Sequence, residues 1–161
     1  MLRPEIEHIF FDLDHTLWDF ERNSAAAFEV LLADLAIPVD VQVFHGVYAP
    51  INEAYWELYR KGLISQQELR LGRLRDSFHQ LDVSVAESLI HEASARYIDL
   101  LTTFTHLMPG TLELLDYLKP NYTLHIITNG FREAQARKLA HSSLVAYFDQ
   151  VIDSESVGVK K

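Results

Sequence analysis

Phe10-Phe11-Asp12-Leu13-Asp14-His15-Thr16-Leu17 is the stretch on which the reading of this chain turns. Ile9, Phe10 and Phe11 are consecutive and apolar, as in a central strand buried on both faces, so residues 6–11 are expected to form a short strand. Two aspartates follow it. In open parallel α/β sheets, sites gather at the carboxyl ends of strands. Turn residues beyond Asp12 can swing Asp14 back toward the first carboxylate. Such a pair suits a hard, oxygen-seeking cation such as Mg²⁺. It also suits a division of labour in which one carboxylate attacks phosphorus and the other handles the proton on the leaving oxygen. At this spacing alone, two solvated or capping aspartates in a turn read equally well.

Downstream the pattern changes period. From about residue 20 to 105 it is helical. Ser24 is expected to cap a helix over 25–35, which Ile37-Pro38 ends. A second helix is expected over 41–61 with a kink or break at Pro50 and a stop at Gly62. Ser65-Gln66-Gln67-Glu68 and Ser84-Val85-Ala86-Glu87 both fit a capping box, opening helices to about 81 and 101. Tyr48, Tyr55, Trp56 and Tyr59 recur at helical spacing and read as the core of this helical part. After Leu107 the α/β pattern resumes, with a helix over 111–118, a strand over 123–127, a helix over 132–141 and a third short strand at 151–152. A helical insert between a strand at the start and a βα unit at the end is the organisation expected of a core with a lid that excludes water.

Two further elements carry candidate chemistry. Thr128-Asn129-Gly130 ends the apolar strand and precedes a helix, where a hydroxyl and backbone N–H groups can bind phosphate oxygens and glycine lets backbone come close. The same three residues also read as an ordinary turn. Lys160 and Lys161 supply cations that can offset charge on a nucleophile and a transferring group, or form a solvated tail.

Composition narrows the class. The chain has 161 residues, of which 48% are hydrophobic and 23% charged, as in a soluble globular domain. A formal net charge of −9 argues against a nucleic-acid polymer as partner. It leaves a small phosphorylated metabolite open, because a cation and a few local lysines reverse the field inside a site. With no cysteine, thiolate metal sites and disulfides are excluded. The eight histidines are scattered, with no His-x-x-x-His pair, which argues against zinc. No apolar run approaches the ~18 residues of a membrane span, Met1-Leu2-Arg3-Pro4-Glu5 lacks the pattern of a signal peptide, and a cytoplasmic setting is expected.

Taken in order, these elements resemble the haloacid dehalogenase-like hydrolase superfamily. Its first motif, Asp-x-Asp-x-Thr after a hydrophobic strand, matches Asp12, Asp14 and Thr16. Its second, a Thr or Ser ending a later strand, matches Thr128. Its third, a lysine closing a segment like Val-Gly-x-x-Lys, matches Lys161 in Val157-Gly158-Val159-Lys160-Lys161. Ile126-Ile127-Thr128-Asn129-Gly130-Phe131, the segment from Ser154 onward and Gly62-Leu63-Ile64-Ser65 resemble the pyrimidine 5′-nucleotidase branch, with related sugar-phosphate phosphatases sharing much of the pattern.

The resemblance implies an α/β fold: a Rossmann-like parallel-sheet core over 1–18 and 106–161, incomplete here, and an inserted all-α cap over 19–105. It implies that Asp12 is the nucleophile forming an aspartyl-phosphate and, with Asp14, holds Mg²⁺. Asp14 would be general acid and then base, with its backbone carbonyl on the metal. Thr128, Asn129, Gly130 and Thr16 would serve the phosphoryl group, and Lys161 would bridge it to Asp12. A second aspartate favours phosphate over halide chemistry. His15, Trp18, Phe20 and Phe131 either line a nucleobase pocket or pack. Family members continue past the lysine to a fourth, acidic motif that completes the Mg²⁺ shell. The chain is therefore expected to be the N-terminal part of a protein of roughly 220–240 residues, and poorly active alone unless a partner chain or missing segment supplies the rest.

Overall fold

A computed structural model describes residues 6–161; Met1-Leu2-Arg3-Pro4-Glu5 lie outside the described residues. Among the described residues three strands, β1 (His8–Phe11), β2 (Thr123–Thr128) and β3 (Gln150–Asp153), form one parallel sheet in the order β1-β2-β3. Phe11 lies opposite Ile126, and Thr128 opposite Asp153. This register brings the ends of all three strands to one edge: Asp12 just past β1, Thr128 ending β2 and Asp153 ending β3.

The helices are α1 (Phe20–Asp34), α2 (Val41–Arg60), α3 (Gln66–Gln80), α4 (Glu87–Leu101), α5 (Thr111–Leu118), α6 (Arg132–His141) and the single turn α7 (Ser154–Val157). The chain divides into two compact units, one of the residues up to Asn23 with Thr102–Lys161, the other Ser24–Leu101. The sheet, α5, α6 and α7 belong to the first. Its core gathers Leu13, Leu17, Trp18, Leu115, Leu124, Ile126 and Leu139, all nearly or fully buried.

The second unit is all helical. Phe28, Phe44, Tyr48, Phe78 and Tyr97 form its aromatic centre, with the Phe28 and Tyr97 rings stacked at 4.3 Å. Arg73 is buried there too, its guanidinium over the Tyr48 and Tyr97 rings and donating to Asn52 Oδ1 at 2.8 Å. Of the aromatic stripe expected to form this core, Tyr48 and Tyr59 are buried, while Tyr55 and Trp56 are only half-buried.

Several local expectations need correction. The apolar run predicts a first strand that is central and buried on both faces; in the sheet of the described residues β1 lies at the margin, and Phe10 is 53% exposed. Consecutive apolar residues bury both faces only where other elements cover them. Helix α1 opens at Phe20 rather than after Ser24, because Asp19 caps it by accepting from Arg22 N–H at 3.1 Å. Ser24 lies inside the helix, its hydroxyl 2.8 Å from that of Tyr97. Pro50 does not break α2, which runs unbroken through it from the cap Asp40. The capping box at Ser65 and Glu68 is present with both of its hydrogen bonds. The one expected at Ser84 is not, since α4 begins only at Glu87.

Candidate active site

The turn after β1 is made by one residue. His15 has φ 61°, a left-handed conformation uncommon outside glycine but tolerated by histidine. Around it, His15 N–H donates to Trp18 O, and the N–H groups of Leu17 and Trp18 both donate to Leu13 O. The chain folds back on itself directly beyond Asp14. Leu13 is buried under the turn, so Asp12 and Asp14 flank an anchored residue.

Asp12 is fixed from two sides. Its Oδ1 accepts from Leu13 N–H at 2.8 Å, and its Oδ2 lies 2.8 Å from Lys161 Nζ. Lys161 is itself clamped. Asn129 donates from Nδ2 to Lys161 O at 3.0 Å and accepts at Oδ1 from Lys161 N–H at 2.9 Å. The ammonium also donates to Ile127 O at 2.8 Å. The path to this position starts at β3. Asp153 caps α7 by accepting from Ser156 N–H at 2.8 Å and Ser156 Oγ at 2.6 Å, and Gly158, at φ 70°, ends that turn in the left-handed region. Burial raises the Asp153 pKa, but the Ser156 hydrogen bonds and the nearby Arg132 charge outweigh it and hold the carboxyl below its ordinary value.

Thr128 is buried, and its Oγ1 accepts from Gly130 N–H at 3.0 Å and from Gln135 Nε2 at 2.8 Å. A hydroxyl has two acceptor lone pairs and one proton to give. With both lone pairs filled, the Thr128 O–H is left as a donor.

Asp14 is held from α6. Lys138 Nζ lies 2.7 Å from its Oδ1, and Gln135 Nε2 donates to its Oδ2 at 3.0 Å. Neither residue was singled out from sequence. The available signal was a glutamine and a lysine three apart, hence on one helical face, alongside the apolar Phe131, Ala134 and Leu139. Both are buried, and the Lys138 ammonium sits 4.4 Å from the Trp18 ring centroid and 5.5 Å from that of Phe20.

The structure therefore joins Asp12 to Lys161, Lys161 to Asn129, and Asp14 to Thr128 through Gln135. Thr16 is not tied into this network; it is exposed on the turn, with its N–H donating to Leu13 O at 3.3 Å. The Asn129 side chain is occupied by the Lys161 backbone, and the Gly130 N–H by Thr128. Trp18, Phe20 and Phe131 are buried packing residues, while His15 is exposed beside Glu21 at 3.9 Å. Among the described residues no group of three or more His, Cys, Asp or Glu converges as a ready metal cage. No helix among them is long and apolar enough to cross a membrane.

Known proteins resemble this chain along nearly its whole length. Pyrimidine 5′-nucleotidase PynA of Streptococcus pneumoniae is 34% identical over 95% of this chain and 63% of its own length. Pyrimidine 5′-nucleotidase YjjG of Escherichia coli is 31% identical over 95% of this chain and 64% of its own length. The chain thus spans somewhat under two thirds of these relatives. The crystal structure of YfnB from Bacillus subtilis, bound to magnesium, superposes with a TM-score of 0.86 at 26% identity, covering 97% of this chain and 68% of that one. The profile of the haloacid dehalogenase-like hydrolases matches residues 6–161, and this chain belongs to that family.

Proposed function

We propose that this chain carries the nucleophile half of a Mg²⁺-dependent phosphate-monoester hydrolase acting on a small phosphorylated metabolite, a nucleoside monophosphate before a sugar phosphate. The observation that carries the reading is the 2.8 Å pair of Asp12 Oδ2 and Lys161 Nζ at the strand ends beside Thr128. An exposed carboxylate with a cation fixed against it is a nucleophile whose charge, and that of an incoming phosphoryl group, is offset. The nucleotide preference rests on the likeness to PynA and YjjG.

In this reading an Asp12 carboxylate oxygen attacks phosphorus. The Asp12–phosphorus bond forms as the bond from phosphorus to the leaving oxygen breaks, and Asp14, which enters the step protonated, gives that oxygen its proton. Water then attacks the aspartyl-phosphate, Asp14 takes its proton, and inorganic phosphate leaves with Asp12 restored. Lys161 stays against Asp12 throughout, and the Thr128 O–H, its lone pairs already filled, donates to a phosphoryl oxygen.

The donor set fits Mg²⁺: Asp12 and Asp14 offer only hard oxygens, and this ion is commonly held by one or two carboxylates, substrate phosphate and retained water. When bound it would neutralise charge on the phosphoryl group. The Asp12 carboxylate and the Asp14 carbonyl would hold it.

The test is turnover of a phosphate-ester panel by the full-length gene product and its Asp12→Asn variant. The variant is expected to lose at least ~10³-fold in kcat/KM, as when a nucleophile is removed. Unchanged turnover in Asp12→Asn would overturn the mechanism, and preference for sugar phosphates over pyrimidine nucleotides would overturn the substrate class.

A further inference from the structure

Asp14 is not left to find its own orientation. Both of its carboxylate oxygens are taken by side chains of one helix: Oδ1 by Lys138 Nζ at 2.7 Å, Oδ2 by Gln135 Nε2 at 3.0 Å. Gln135 uses its second N–H on Thr128 Oγ1 at 2.8 Å, so a single amide bridges the end of β1 to the end of β2. Gln135 is 1% exposed and Lys138 4% exposed.

Burying a lysine is costly unless it is paired, and here its charge faces one carboxylate and the Trp18 and Phe20 rings. The fold also makes room for the bridge. A Cβ on Gly130 would meet Gln135 Cδ at 2.4 Å, closer than real carbon contacts. The glycine that the motif spacing assigns to phosphate contact therefore also seats Gln135.

We infer that Gln135 and Lys138 are positioning residues that hold the Asp14 carboxyl in one orientation and tie it to Thr128, the proton it gives being carried on an oxygen lone pair that neither donor uses. The inference rests on the proposed role of Asp14 as proton donor. Two anchors on a short side chain remove its rotational freedom. Freeing it should cost what misplacement of a reacting group costs, about 10²-fold in rate.

The experiment is the leaving-group dependence of kcat/KM, which reports the first phosphoryl transfer. The full-length gene product is compared with Lys138→Met, Lys138→Arg and Gln135→Met on an alkyl phosphate ester and on p-nitrophenyl phosphate. An alkoxide needs a proton as it leaves, whereas p-nitrophenolate leaves without one. Lys138→Met and Gln135→Met should lose about 10²-fold on the alkyl ester and far less on the aryl ester. Lys138→Arg, which keeps a cationic donor, should recover part of the loss.

A merely structural role predicts equal losses on both esters, and that result, or no loss on either, overturns the inference. If Lys138→Met does not fold, Gln135→Met, an uncharged near-isostere, decides alone. Asp12→Asn separates the two ideas. Full activity there sinks the nucleophile role of Asp12 and with it the proton-donor role of Asp14, whereas its inactivity combined with equal losses in the α6 variants sinks only the positioning role.

Discussion

At the scale of single residues, the site depends on which hydrogen-bonding groups are already spent. Thr128 Oγ1, the Asn129 amide and the Gly130 N–H are each engaged within the protein, and the Lys161 ammonium is shared between Asp12 Oδ2 and Ile127 O. Gly130 is the most constrained of these positions. Its φ is not in the left-handed region, so glycine is required for space and not for backbone freedom. Gly130→Ala is expected to destabilise the protein by about 1–3 kcal/mol, the usual cost of overpacking, measured as a drop in the denaturant midpoint. Pairing it with Gln135→Ala, which clears the space, should make the two changes non-additive. Simple addition of the two effects would contradict the contact.

At the scale of elements, α2 and α3 pack through a similar device. Gly72 on α3 leaves room for Tyr55 on α2, whose hydroxyl would lie 2.5 Å from an added Cβ and donates to Asp76 Oδ2 at 2.8 Å. Partial burial, then the Asp76 hydrogen bond and charge, push the Tyr55 pKa up to about 12 from 10.0. A group whose pKa is raised on folding contributes stability that is complete below its unfolded value and lost as pH rises through its folded one. Stability should therefore fall between pH 10 and 12 by a component that Tyr55→Phe removes. A pH series of chemical denaturation measures this, and identical slopes for both proteins would refute it. Elsewhere, elements follow their local chemistry closely. The Ser65–Glu68 box starts α3 as its spacing predicts, because both of its hydrogen bonds lie within one turn. The turn at Ser84 fails because α4 opens three residues later, at Glu87.

At the scale of the whole molecule, the chain consists of two units with separate cores, and it spans under two thirds of its nucleotidase relatives. Among the described residues no group of three or more His, Cys, Asp or Glu side chains gathers to hold a metal ion. Mg²⁺ demands near-octahedral coordination and gives up water reluctantly. The 161-residue chain is thus expected to bind Mg²⁺ weakly. Calorimetric titration should give a shallow isotherm, and a steep, saturating one that survives Asp12→Asn would show a metal site other than that proposed.

The kinds of element, their order and the family are legible in the residues alone, because hydrophobic period, capping residues and motif order are local properties; the exact starts of α1 and α4 are not. Asp12, Asp14, Thr128 and Lys161 stand out as candidates because each sits at a recognisable strand end or motif position. How they are held depends on contacts between distant segments. The Asn129 clamp on Lys161 spans 32 residues, and the Lys138 and Gln135 grip on Asp14 spans more than 120. Such contacts leave no periodic trace, since a buried lysine or glutamine on a helix looks the same in sequence as a solvated one until a strand end is packed against it. The exposed face of Phe10 was hidden for the same reason: an apolar run records what a strand can bury, and its neighbours decide what it does bury.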